Sequence, residues 1–352
     1  MGYDIKRSVS LYSYQDEYYN KQLDLEGCLR ETSQTGATGV ELLAEQMIRR
    51  FPLPILDESF REQWFGWLEK YNLKPSCYDA FLENHLYDNR TLSLGEQINM
   101  MKRDIYLASL LGFKNLRTLV STPMDVIEGS LEYAEKRDVK IGLEVHAPFS
   151  LNSSWAEGYL EMIRRTGTKY FGFIPDLGIF CKNIPDVVRE KARRHGASEE
   201  CIKIVDDSYN ERVSKGFVKI KYDLNLGKAN MEYRMANGMQ EMMDAVKKAG
   251  GGPADLEYAG SSFTYSWSDP QDLIDNMEYI YHIHGKCYNT HEDYVETAVA
   301  IPEVIEALKK GGYNGYISTE YEGGEHIRYD LPVDSIEQVR RHQEALRREI
   351  EK

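Results

Sequence analysis

The 352-residue chain has no apolar run long enough to span a membrane, no basic excess, no CxxC pair and no GxGxxG after its first predicted strand. Each absence removes a class of function. A transmembrane helix needs roughly 20 consecutive apolar residues, and none occur. The start, MGYDIKRSVS, lacks the apolar core of a signal peptide, and Lys6 breaks the myristoylation pattern. A net charge of −14 argues against nucleic acid as the main ligand, because phosphate binding needs a basic face. The five cysteines (Cys28, Cys77, Cys181, Cys201, Cys287) are odd in number and widely spaced. They read as buried small hydrophobes in a reducing, cytoplasmic compartment. The missing glycine fingerprint removes the main support for a doubly wound dinucleotide-binding sheet.

What is present is a rhythm. Strand-like and helix-like segments alternate along the chain. The strands are Ser8–Tyr14, Gly39–Leu43, Leu73–Tyr78, Asn115–Val120, Val139–His146 and Tyr170–Pro175, then Tyr279–His284 and Gly315–Thr319. Between the first six lie helical patterns such as Asp24–Thr35, Asp57–Tyr71 and Met124–Arg137. Ser93 with Glu96 makes a capping box, Ser154 with Glu157 another, and Gly112 sits where a C-terminal cap belongs. Eight such repeats predict a (β/α)8 TIM barrel, one domain over residues 1–352, with right-handed crossovers and helices outside. About a hundred residues separate Asp176 from the seventh strand, where βα units need a few tens. Residues 181–268 therefore read as a mostly helical insertion: Pro185–His195, Ser198–Lys215 and Met231–Lys248, broken at Gly250–Pro253. Asp269–Tyr279 resembles the missing barrel helix. The insertion is equally a lid, a docking surface or decoration.

Ionisable residues recur at the C-terminal ends of the predicted strands: Glu144 on the fifth, Asp176 on the sixth, His284 on the seventh and Glu320 on the eighth. That is the barrel face where active sites sit. One strand-end carboxylate is unremarkable. Four ionisable groups in register on four consecutive strands form a constellation, and three carboxylates with one imidazole suit a divalent metal. The oxygen-rich set favours Mn²⁺, with Mg²⁺ or Co²⁺ as alternatives. His282 shares a face with His284 but lies one layer deeper and reads as a satisfied core histidine. Lys286 points the same way, and its two readings are a ligand for a substrate oxygen and, slightly preferred, a solvated surface lysine. His85, His195, His291, His326 and His342 fall in predicted helices or loops and read as surface residues.

The motifs LEV at Glu144, PD at Asp176, HIH at His282–His284 and STE at Glu320 resemble the xylose-isomerase-like barrels. In the ketose 3-epimerases of that group, residues at these strand ends bind Mn²⁺, and the two glutamates also move protons. That resemblance implies Glu144 and Glu320 as an acid/base pair. Two positions depart from the epimerase pattern. Ile179 stands where a histidine usually follows the metal aspartate, and His146 stands where the pattern is apolar. The start SLYSYQDEYY at Ser10–Tyr19, GLEVHAPF at Gly142–Phe149 and the long insertion are similar to the catalytic α subunits of bacterial C-glycoside deglycosidases. That resemblance implies a small β subunit as partner, a 3-oxo-glucoside as substrate and His146 as general base.

The residues suit proton abstraction beside a carbonyl. An imidazole meets the pKa demand of such a base with little tuning. In a 3-oxo-C-glucoside, loss of the C2 proton sets up expulsion of the aromatic aglycone from C1. Tyr12, Tyr14 and Lys286 are the candidates to bind substrate or protonate the leaving group, and the sequence does not choose among them. An epimerase would share the first step and return the proton to the opposite face. A zinc-cluster endonuclease of the same group fits neither the eight histidines nor the charge. A non-enzymatic sugar-binding barrel would be expected to have lost part of the quartet, which is intact.

Overall fold

The computed structural model describes residues 2–48, 58–219, 226–324 and 327–352. Eight parallel strands form one sheet: β1 (Lys6–Ser10), β2 (Gly39–Leu43), β3 (Lys74–Asp79), β4 (Asn115–Thr118), β5 (Lys140–Val145), β6 (Phe171–Pro175), β7 (Ile283–Cys287) and β8 (Tyr316–Tyr321). Their hydrogen-bonded order runs β6-β5-β4-β3-β2-β1-β8-β7, so β1 returns to pair with β8. The remaining seam, between β6 and β7, is closed by two isolated parallel bridges, Phe173–Ile280 and Asp176–His284. This is the expected TIM barrel. Gly172 lies at the seam for a steric reason: a Cβ there would come within 2.3 Å of the Tyr279 carbonyl oxygen.

Alternation along each strand builds two interiors. Val40, Leu42, Leu143, Val145, Phe171 and Phe173 are buried in the apolar core. Between some of them, on the opposite face, stand Glu41 and Glu144. The helices cover the outer layer. Leu25–Gln34 starts at Asp24, whose side chain accepts from the Gly27 N–H. Leu94–Leu110 starts in the Ser93–Glu96 capping box that the sequence predicts. No helix among the described residues is long and apolar enough to cross a membrane. All five cysteines are buried free thiols.

Several boundaries move, each for a local reason. The first strand ends at Ser10, and Leu11–Tyr14 turns into a 3-10 helix. The predicted helix Met124–Arg137 is two, Met124–Glu128 and Leu131–Arg137, parted at Gly129-Ser130. Ser153, not Ser154, caps the helix Ser154–Thr166. Strand seven begins at Ile283, because Met277–Tyr279 is a 3-10 turn preceded by the short helix Gln271–Asp275. Between β6 and β7, Gly238 in a left-handed conformation separates Leu226–Ala236 from Met239–Lys248. Pro253 opens a further helix, Pro253–Ser261, where the sequence predicts only a break.

His342 is also corrected. It is fully buried on the helix Ser335–Glu351, with Nδ1 2.8 Å from Thr319 Oγ1. It ties that helix to β8 instead of facing solvent. His85, His195 and His291 are exposed, as the sequence predicts, while His326 lies outside the described residues.

Candidate metal centre

The closing bridge between Asp176 and His284 brings two of the four strand-end groups side by side. Glu144 and Glu320 arrive from the flanking strands, β5 and β8. All four side chains are buried, and one ligand atom from each lies within 4.8 Å of the others. Glu320 Oε2 and Glu144 Oε1 each stand 3.2 Å from His284 Nδ1. Asp176 also caps the turn after β6, its Oδ1 accepting from the Gly178 N–H at 2.7 Å.

His284 is gripped from behind. Glu41, on β2, places Oε1 2.8 Å from His284 Nε2 in a close ion pair that is not aligned as a full hydrogen bond. Its other oxygen accepts from His282 Nε2 at 2.6 Å, and Ser318 Oγ lies 3.0 Å from the same nitrogen. The deeper histidine is thus a core residue, as expected, held through Nε2, while its Nδ1 has no hydrogen-bond partner among the described residues. A carboxylate behind a ligating histidine fixes the ring and raises its basicity.

A second network fills the β3–β4 side. Arg117 Nε donates to Asp79 Oδ1 at 3.0 Å and lies 3.7 Å from Glu144 Oε2. Lys286 is 5% exposed, which removes the solvated-lysine reading. Its ammonium is 2.9 Å from Asp176 Oδ2, 2.9 Å from Glu320 Oε2 and 2.8 Å from Glu322 Oε1. The register that pairs Lys286 with Glu320 across β7 and β8 sets this contact.

The electrostatics follow from burial against pairing. Burial pushes the Glu144 and Glu320 carboxyls up. Arg117 with His284 outweighs it at Glu144, and His284 with Lys286 at Glu320, so both are held down and ionised. At Asp176 and Asp79 burial wins, over Lys286 and Arg117 respectively, and both carboxyls rise. Burial alone would lower His284, but Glu320, Glu41 and Glu144 raise it well above the ordinary imidazole value.

The donor set fits a divalent cation. Five buried carboxylates (Glu41, Asp79, Glu144, Asp176, Glu320) face two fixed cations, Arg117 and Lys286. With every carboxyl ionised, as when a cation offsets the burial of Asp79 and Asp176, that leaves three formal negative charges, or two once His284 carries its proton. Charges buried in this way need a partner or a metal. The ligands would be Glu144, Asp176, His284 and Glu320, with His284 offering Nδ1.

Around this cluster opens a cavity of about 260 Å³, close to the lower end for small-molecule sites at roughly 300 Å³. His146, just past the end of β5, stands half-buried on its wall. Its Nδ1 lies 2.8 Å from the Ala147 carbonyl oxygen, which can only accept, so Nδ1 carries the proton and donates. Tyr12 and Lys286 line the same cavity. Tyr14 is not brought there. Its ring is fully buried, and the titratable groups near its hydroxyl are Cys28, Glu31 and Glu17.

Sequence reasoning missed Glu41, Asp79 and Arg117. The signal was present: a single charged residue inside the short, otherwise weakly polar strands GVELL and NLRT, and an aspartate closing KPSCYD. Thr264, from the segment between β6 and β7, also lines the cavity and carried no signal.

No protein-family model matches the chain. It is 26% identical, over 99% of its length and 94% of the relative's, to a C-glycoside deglycosidase alpha subunit of Arthrobacter globiformis. It is 24% identical to a 3'-dehydrocarminate deglycosidase alpha subunit of a Microbacterium species, over 93% of this chain and 91% of that one. Among solved structures it is similar to a sugar phosphate isomerase/epimerase of Parabacteroides distasonis, at 10% identity with a TM-score of 0.53, covering 99% of this chain and 96% of that one. An L-ribulose 3-epimerase gives 12% identity and a TM-score of 0.52, covering 99% and 95%. The structural likenesses show the barrel fold, and the resemblance to the deglycosidase α subunits is borne out.

Proposed function

We propose that this chain is the catalytic subunit of a metal-dependent C-glycoside deglycosidase, cleaving 3-oxo-C-glucosides by C2 deprotonation and β-elimination of the aglycone. The observation that carries the reading is His146. Its donated Nδ1–H leaves the Nε2 lone pair free, in the same cavity as the four candidate metal ligands. A divalent ion, Mn²⁺ by the chemistry of the donor set, would supply Lewis acidity for a substrate carbonyl beside the proton to be removed. His146 then takes the C2 proton. The electron pair returns to form the C1–C2 double bond as the C1–aryl bond breaks, and the leaving carbon gains a proton. Glu144 and Glu320 stay ionised as ligands. Tyr12 and Lys286 are the groups that meet substrate oxygens. The relatives are called alpha subunits, which supports a small second subunit as partner, to be sought by co-purification.

The test is a paired assay. Wild type, Mn²⁺-supplemented, should release aglycone from a 3-oxo-C-glucoside. His146→Ala should abolish release while metal content stays near wild type, and Glu144→Ala should lose both. Near-full activity in His146→Ala would refute the general-base role. Epimerisation of a ketohexose by NMR, with no aglycone released, would assign the chain to the epimerases instead.

A further inference from the structure

The cavity has two unlike halves. The quartet comes from β5 to β8, and across the barrel the β3–β4 side presents Phe81, Arg117 and Leu119. His146, just past the end of β5, lines the same cavity. With a sugar held at the quartet, Phe81 and Leu119 are the apolar wall available to an aromatic C1 substituent.

Arg117 is the polar group in that second half. It is 2% exposed, and its guanidinium carbon lies 4.6 Å from the centroid of the Phe81 ring. An arginine–carboxylate pair is commonly two-pronged. Here Asp79 takes only Nε, and Nη1 has no hydrogen-bond partner among the described residues. A buried charged donor left unmade is costly, and Arg117 lines the cavity, where a bound molecule can bring an acceptor to its guanidinium.

We propose that Arg117 binds the leaving group, taking a phenol oxygen ortho to the cleaved bond and carrying the negative charge that oxygen acquires. This rests on the function proposed above. Cleavage to an aromatic carbon is eased when the ipso carbon gains a proton as the neighbouring phenol gives up its own. The C1–aryl electron pair then drains through the ring onto the former phenol oxygen as the ring regains aromaticity. The proton His146 took from C2 returns to that oxygen, so atoms and charge balance with no added reactant. The ligand class is an aryl C-glucoside bearing an ortho hydroxyl.

The test uses the purified chain with any subunit that copurifies, Mn²⁺ added, and two 3-oxo-C-glucosides of one aromatic ring, the ortho hydroxyl free or methylated. Wild type should favour the free phenol by on the order of 10- to 100-fold in kcat. Arg117→Lys keeps the charge against Asp79 and Glu144 but loses the fork. It should collapse the ratio while metal content stays at the wild-type level. A merely structural arginine would slow both substrates equally, and that outcome overturns the proposal. Phe81→Leu, which removes the ring behind the guanidinium, is the second variant: a narrowed ratio supports the role, an unchanged one overturns it. Wild type cleaving both substrates at equal rates overturns this role alone. No release from either overturns the deglycosidase reading and this role with it.

Discussion

Glu41→Gln is the substitution that tests the proposed centre most directly, because it leaves all four proposed ligands in place. Glu41 is fully buried and touches two histidines, His284 Nε2 at 2.8 Å and His282 Nε2 at 2.6 Å. Glutamine keeps the shape but has one acceptor and one donor. It can satisfy only one imidazole N–H, so the other histidine must change tautomer or lose its partner. His282 is the one to give way, since burial already lowers its pKa and leaves it neutral. His284 then keeps its orientation but loses the negative charge behind it. A unit charge pair at 4 Å is worth about 4 kcal/mol at an effective dielectric of 20. Much of that is offset because the buried carboxylate also sheds its own desolvation cost. Changes in such a supporting group typically weaken metal binding by about 10- to 100-fold, or ~1.4–2.7 kcal/mol. The assay is Mn²⁺ titration of the metal-stripped protein, with free ion followed by electron paramagnetic resonance. A Kd within twofold of wild type, in a variant with unchanged circular dichroism, would remove Glu41 from the centre.

Three further outcomes are expected. Lys286→Met removes a cation 2.9 Å from two of the proposed ligand carboxylates, so Mn²⁺ should bind at least ~10-fold tighter and raise Tm by more than in wild type; weaker binding would show that the lysine organises these carboxylates instead. Burial lowers the His342 pKa from its ordinary 6.5 to about 3, so between those values the unfolded chain binds more protons and stability is lost as pH falls. That loss is about 2 kcal/mol by pH 5, and in His342→Gln, urea melts at pH 5 and 7 should differ by correspondingly less than in wild type; an unchanged slope would refute it. Gly172→Ala forces a methyl against the Tyr279 carbonyl at the barrel seam and should cost about 1–3 kcal/mol in urea denaturation, whereas a neutral effect would mean the seam opens freely.

The residues legible from sequence are those whose signal is local. Glu144, Asp176 and Glu320 each follow an apolar or β-rich run, and period-two alternation fixes the face each takes. The same rule placed His282 beneath His284. The rule fails where helical and turn propensities compete, so Tyr279, read as the start of the seventh strand, closes a 3-10 turn and the strand begins at Ile283. It fails differently at His342, where a polar stretch of helix hides a single inward-facing histidine that meets Thr319 on β8. Lys286 shows the same limit: two residues past a predicted ligand it reads as solvated, because nothing nearby in sequence announces three carboxylates around it.

By itself, then, the sequence determined the eight-fold repeat, the face that bears the chemistry and four of the groups on it. Strand period and parallel order are properties of short segments, and short segments can be read. Tertiary structure alone decided which charges meet. Glu41 and His282 are 241 residues apart and share a hydrogen bond only because the closed barrel sets β2 across from the start of β7. Arg117 holds Asp79 and Glu144 for the same reason, from the strand between theirs. A buried charge is stable only with its partners. Those partners come from the far wall of the barrel, so whether a strand's glutamate is a ligand, a brace behind a ligand or an error of design is settled only when the sheet closes.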